Sequence, residues 1–474
     1  MSLLGLELSD AGILVAAAGA TGLIQVDGVH RESPGFALAD GNRLLVGRDA
    51  EGKAHLHPRQ VNTAFWDQLN TEPLPQPCSY AQNHAEIACA HLSRIWANVE
   101  QYGEELAIAV PGFYDREQLG LILGMARELS ISIKGFVPQP LASSATVRPE
   151  RTLLHLDIQL HRSEITLLEQ GDRLTQKESL TSVGKGLSYL YGEWGQTIAD
   201  EFVRSTRFDP FHQAVSEQEV YDRLPVVLED FQQNPSVIFE MAAGPKIHRV
   251  TLSRDSFVQK SDVVFQEIRR LVADVLAHHG RSNSPITLQL AHRITRLPGW
   301  REMLTVMPDT EIIELQPGAS AFGVLNLQDE LGAQPAGRGA LFVTTRPWHR
   351  SRPRSATPDD AIPFIHHDRQ RPTHVLYRNL AYPISSRPLT IGRETGPNQP
   401  EVLIRGEVTG VSRKHCSIQT RGEEVVLVDH STYGTFVDGI RVADTVILQL
   451  GQIIRVGTPG EELQLIACVK TDET

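Results

Sequence analysis

Cysteine is scarce in this chain. Cys78, Cys89, Cys416 and Cys468 are too few and too scattered among 474 residues for a disulfide framework or a paired Cys-x-x-Cys metal site. A reducing compartment, the cytoplasm, is the expected location. Long apolar runs are also missing. Ile13 to Ile24 is broken by glycines and a threonine and follows Glu7 and Asp10, where an export signal carries positive charge. No other run reaches the roughly 18–20 residues that span a bilayer, so membrane insertion is not expected. Positive charge is in deficit: 45 Lys and Arg face 57 Asp and Glu, a net −12. Nucleic-acid and anionic-membrane binders display a dominant basic surface instead, so no nucleic-acid partner is expected. The histidine pairs His55 and His57, His84 and His91, His278 and His279, and His366 and His367 lack cysteine or carboxylate companions at zinc-ligand spacing, so no metal is expected. A G-x-S-x-G elbow and a P-loop are absent too, which removes the footing for serine-hydrolase and P-loop readings.

What is present is the composition of an ordinary folded protein, 41% hydrophobic and 22% charged. The length exceeds the roughly 250–300 residues at which single cores stop growing, so two or three domains are expected. Residues 1–327 alternate strand-like runs, such as Leu106–Val110, with helical patterns, such as Asp115–Leu129. That is α/β grammar. Residues 328–372 turn to Pro, Arg, Ser and His around Arg346-Pro-Trp-His-Arg-Ser-Arg-Pro-Arg354 and read as a linker. Ala340–Thr345 inside it suits a short strand, but the flanking Pro and charge argue against a packed core. From 373 to 471 short β-rich segments are separated by Gly, Asp, Asn and Pro at sandwich spacing.

Four blocks of that last region stand in register: Ile391-Gly-Arg393, Val411-Ser-Arg-Lys-His-Cys-Ser-Ile418, Asp429-His-Ser-Thr-Tyr-Gly-Thr-Phe-Val-Asp-Gly439 and Leu450-Gly-Gln-Ile-Ile454. Together they resemble a forkhead-associated (FHA) domain. The resemblance implies an all-β sandwich whose loops at one end bind phosphothreonine peptides. A phosphate dianion offers acceptors only, so guanidinium and hydroxyl donors suit it. By that chemistry Arg393, Ser412 and Arg413 read the phosphate, with Lys414 adding field. The resemblance puts Arg393 and Ser412 on the phosphate-holding positions, with Arg413 and Thr432 beside them. It gives Gly392, His415, Gly434 and Thr435 a supporting role, with His415 bracing the Gly434-Thr435 loop without touching phosphate. The family's asparagine before Gly-Thr is here Tyr433, one hydroxyl in place of an amide. That departure bears on how the peptide backbone is held.

The N-terminal region carries collinear blocks that resemble the actin-like ATPase superfamily, specifically the nucleotide-binding domain of DnaK-type chaperones. They include Gly5-Leu-Glu-Leu-Ser9, Ala109-Val-Pro-Gly-Phe-Tyr114, Pro138-Gln-Pro-Leu-Ala142, Val183-Gly-Lys-Gly186 and Pro317-Gly-Ala-Ser-Ala-Phe-Gly323. The resemblance implies a duplicated ribonuclease H-like α/β fold. Its chemistry is largely erased. The first phosphate loop reads Glu7, Ser9, Asp10 and Ala11, and the second, Asp157-Ile-Gln-Leu-His-Arg162, keeps the carboxylate but has lost its glycines. The family's catalytic lysine falls on Gln68, its supporting glutamate on Gln139, and the adenosine loop's glycines on Ala291-His292. Glu7 and Asp157 read as inherited or solvated strand-end carboxylates. The expectation is a pseudo-ATPase that binds no cofactor, lacks the chaperone's substrate-gripping lid and serves as a docking body for a further protein.

The whole chain thus reads as a scaffold without catalytic residues whose partner is a phosphothreonine-containing protein. Two rival readings are an active DnaK-like or filament-forming ATPase targeted by its FHA domain, and a phosphate-independent FHA adaptor. Thr357-Pro-Asp-Asp360 in the linker offers a threonine followed by acid at plus three, a tethered ligand if phosphorylated, against the plainer reading of a solvated acidic turn.

Overall fold

Leu3–Glu7 (β1) and Ile13–Ala17 (β2) are apolar runs in which nine of ten residues are buried, the pattern of strands covered on both faces. β2 pairs antiparallel with β1 and with Glu32–Ser33 (β3). On the other side of β1, Glu105–Val110 (β4) and Ser132–Pro138 (β5) join in parallel, giving the order β3-β2-β1-β4-β5. Parallel neighbours need a crossover. Two helices serve, His84–Val99 (α1) ahead of β4 and Arg116–Glu128 (α2) between β4 and β5. Asn83 caps α1 by accepting from the Glu86 amide, and Asp115 and Gln118 form a reciprocal capping box on α2.

A second sheet repeats this plan. Thr152–Ile158 (β6), Arg162–Gln170 (β7) and Leu174–Val183 (β8) form an antiparallel meander. Ile286–Leu290 (β9) and Thr310–Glu314 (β10) add in parallel beyond β6, giving β8-β7-β6-β9-β10. Helices Leu187–Thr206 (α3) and Arg254–His278 (α4) bury Trp194, Phe202, Phe257 and Ile268 against it. A separate cluster joins residues of both sheets, Ala107 and Val137 with Leu153 and Leu168, to Ala321 and Val324 of a short helix, Ala319–Leu325 (α5).

This architecture is that of a computed structural model, which describes residues 2–20, 22–41, 43–78, 80–144, 148, 150–282, 284–305, 307, 309–332, 340–347, 372–377, 380–393, 401–404, 410–422, 424–432, 434–437, 440–442, 444–450, 452–457 and 461–466. The chain divides into two units, Met1–Pro353 and Arg354–Thr474. The linker expected from residue 328 therefore starts later. Gln328–Gly332 is helical, Leu341–Phe342 (β11) extends the first sheet beside β5, and Thr345–Arg346 (β12) extends the second beside β8. Contrary to the expectation drawn from its Pro and Arg content, this stretch is packed. Val343 is buried, and the Arg346 guanidinium reaches inward to the carbonyls of Leu141 and Ala142. An arginine at the end of such a strand satisfies buried acceptors, so its charge does not mark solvent.

The regular elements among the described residues of the second unit are all strands. His374–Tyr377 (β13), Leu380–Pro383 (β14), Leu389–Gly392 (β15), Val402–Leu403 (β16), Cys416–Arg421 (β17), Glu424–Asp429 (β18), Thr435–Val437 (β19), Ile440–Arg441 (β20), Thr445–Leu448 (β21), Ile453–Val456 (β22) and Glu461–Ile466 (β23) form two sheets. Their orders are β14-β13-β23-β22-β19-β20 and β16-β15-β17-β18-β21. Inward residues such as Val375, Ile391, Ile418, Leu427, Ile454 and Leu465 fill one core, the arrangement of a sandwich.

Candidate functional site

At the ends of β15 and β17 two chain segments are clamped together. The His415 amide donates to the Ile391 carbonyl (2.7 Å) and the Arg393 amide to the Ser412 carbonyl (3.2 Å). Gly392 permits the approach, since a Cβ there would lie 2.0 Å from the Arg413 carbonyl oxygen. Arg393 and Ser412 are thereby neighbours. Arg393, Arg413 and Lys414 are exposed, and among the described residues none has a carboxylate partner. The Ser412 hydroxyl oxygen accepts the Thr432 amide (3.1 Å), a bond that does not use its own proton. Thr432 is exposed beside it. Tyr433 lies outside the described residues, as do the linker positions around Thr357.

His415 is fully buried beneath this surface. Its Nδ1 accepts from the Ser412 amide (3.0 Å), which fixes the tautomer so that Nε2 donates to the Gly434 carbonyl (3.1 Å). Burial pushes its pKa below the usual value against the pull of the Gly434 carbonyl and Asp429. Gly434 sits at φ +99, and a Cβ there would meet Arg441 Nε at 2.7 Å. The structure also supplies parts the motif reading passed over. Asp429 accepts from the Ser431 amide (3.0 Å) and the Thr435 hydroxyl (2.7 Å), and Ser431 accepts from the Gly434 amide (2.8 Å). Burial alone would raise the Asp429 pKa; these donors outweigh it and hold the carboxyl below its ordinary range. Asp and Ser two and three residues ahead of a turn are a readable signal. Arg441 offers none in the sequence.

In the first unit the six positions expected to form a nucleotide site do not all meet. Glu7, Gln139, Asp157 and His292 do converge, on a cavity of about 20 Å³ also lined by Ser143, His155 and Ser320. Gln68 is exposed and stays outside it; its buried neighbour Asp67 faces the junction, pairing with Arg162 at 2.6 Å. Ser9 is buried but serves its own turn, accepting from the Ala11 amide. Gln139 donates to the Leu8 carbonyl (2.6 Å). Glu7 and Asp157 are not solvated strand ends: both are over 90% buried. Burial pushes the Asp157 carboxyl up to about 7 despite Arg293 nearby, and His292 down to about 2. For Arg293 burial opposes the charge, but Glu32, Glu7 and Asp157 more than compensate and keep it protonated. Arg293 is 5% exposed and donates to the Gly12 carbonyl (2.7 Å) and Glu32 (2.8 Å) beside Glu7 (3.4 Å), and Ser320 donates to Glu7 (2.6 Å).

The cavity at this junction is small. Twenty cubic ångströms holds about one water, whereas small-molecule sites run to about 300 Å³ or more. Among the described residues no cluster of three or more His, Cys, Asp or Glu is arranged to hold a metal ion, and no helix is long and apolar enough to cross a membrane. Compared with known families, residues 389–457 match the FHA domain. No curated protein matches the chain.

Proposed function

We propose that the protein is a non-catalytic adaptor that reads phosphothreonine through its C-terminal unit and carries a pseudo-ATPase body as its second, protein-docking part. One observation carries the first half: Arg393 and Ser412 are held side by side by a backbone hydrogen bond, with a guanidinium that has no carboxylate partner among the described residues and a hydroxyl whose oxygen accepts the Thr432 amide. A phosphate dianion arriving there meets Arg393 and Arg413 as charged donors and Ser412 as a short-range one. His415, too deep to touch it, keeps the Ser412 and Gly434 backbones in place. Threonine in place of serine on the ligand is the expected preference, as is usual for the matched family.

Support for the second half comes from the twin sheets. Their shared order, a meander followed by two parallel strands, suits the actin-like ATPase architecture to which the sequence blocks point. The filled junction supports a body that works without ATP and has no catalytic turnover. The cytoplasm remains the proposed location.

Titration calorimetry of the whole chain against a phosphothreonine peptide library and its unphosphorylated twin tests the reading. Binding that needs the phosphate and falls about 10- to 100-fold in Arg393→Ala is expected, since a hydrogen bond to a charged group contributes about 1.5–3 kcal/mol. Equal binding of both libraries, or none, would refute phosphothreonine reading.

A further inference from the structure

Asp10 stands in the β1–β2 turn of the first sheet, yet its carboxylate is used by the second. Oδ1 accepts the Leu160 amide at 2.7 Å and Oδ2 the His161 amide at 3.2 Å. Those residues form the β6–β7 turn, the counterpart of Asp10's own turn in the duplicated plan. Two successive amides donating to the two oxygens of one carboxylate make a concave donor site suited to an oxyanion. The other side of the turn explains their direction. The carbonyls of Gln159 and Leu160 accept from Leu187 and Ser188 at the start of α3 (both 2.8 Å). Gly186 lets that helix come close, since a Cβ there would lie 2.5 Å from the Arg162 nitrogen. With its carbonyls committed to the helix, the turn presents its amides to the junction. Asp10 is 2% exposed, so the contact is shielded from bulk solvent.

We propose that the 159–161 turn is an oxyanion site permanently occupied by the chain's own Asp10 carboxylate, a built-in substitute for a bound phosphate that holds the two sheets together without ligand. Neighbouring links reinforce it: His161 Nε2 meets the Thr63 carbonyl (2.9 Å), and the Arg162–Asp67 pair bridges the same junction. The inference rests on donor geometry and does not depend on the family to which the first unit belongs or on the peptide reading of the second.

Chemical rescue tests it. In the full chain, Asp10→Ala empties the site. The expected result is a first unit that melts several degrees lower, with hydrogen-exchange protection lost at the Leu160 and His161 amides. Inorganic phosphate or sulfate, at ionic strength matched with chloride, should restore both in the variant and stabilise the wild type less. Unchanged protection at these two amides in Asp10→Ala would overturn the proposal, as would recovery that is no greater than the wild type's own response to the same salts. Should Asp10→Ala not fold, Asp10→Asn keeps one acceptor oxygen and gives the same comparison: faster exchange at Leu160 or His161, slowed by phosphate, supports the proposal, and wild-type exchange overturns it.

Discussion

A single imidazole carries much of the peptide site's geometry. His415 in its neutral form accepts at Nδ1 and donates at Nε2; a second proton turns Nδ1 into a donor facing the Ser412 amide. Its folded pKa lies below the unfolded value near 6.5, so the stability it contributes is present above pH 6.5 and is lost as pH falls through the folded pKa. Denaturant unfolding of the C-terminal unit should therefore weaken as the pH drops below 6.5, and His415→Ala should flatten that slope while costing about 1–3 kcal/mol for the orphaned amide. Asp157 carries the opposite sign. Its folded pKa, about 7, stands above the ordinary carboxylate value of 3.8. The stability tied to its protonated form is present below pH 4 and drains away as pH rises to about 7 and beyond, and Glu164, also pushed to about 7, does the same. His155, lowered by burial to about 4, acts the other way below pH 6.5. Comparing Asp157→Asn with wild type isolates one group: the variant should gain about 2–4 kcal/mol relative to wild type at pH 8 over their difference at pH 4, at about 1.4 kcal/mol per pKa unit. No change in that difference would mean that Asp157 stays ionised in the fold. That Arg393, Ser412, Thr432 and His415 come together was legible because they lie in short blocks of fixed order. Gln68 was not, because register over a long, weakly matched segment let its neighbour Asp67 take the inward position.

At the level of elements, the segments singled out in the first 327 residues are present. Asp115–Leu129 is α2 with its two caps, and Leu106–Val110 lies within β4. A short strand at Ala340–Thr345 was readable but its packing was not, because strands of two residues each are too short for a buried face to register and their Pro and Arg neighbours carry the composition of a linker. Their packing supplies a direct check on the boundary. A fragment ending at residue 327 loses both edge strands, uncovers β5 and β8, and deletes the buried Leu331 and Val343. It should melt several degrees below a fragment ending at residue 353, or fail to stay soluble, because bare sheet edges invite association. Equal melting temperatures would show that the strap contributes nothing to the first unit.

For the whole molecule, the expectation is two units with separate tasks. Millimolar Mg-ATP should leave both melting transitions in place, because a ligand stabilises only a state that binds it; a rise in the first transition would reinstate a nucleotide site. The duplicated strand order was only partly legible, since the sequence blocks mark turns while the pairing of distant strands depends on tertiary contacts. The strap has a mechanical meaning as well. When a partner pulls on the C-terminal unit while the first unit is anchored, β12 is the first described strand of the first unit to meet the tension. β12 is registered to β8 at Leu174 and Thr175 only, and β11 to β5 at Gly135 and Phe136 only. These short contacts peel in turn, paying out six residues, about 20 Å of chain, while both five-stranded sheets remain whole. The junction behaves as a fuse that converts a jerk into slack.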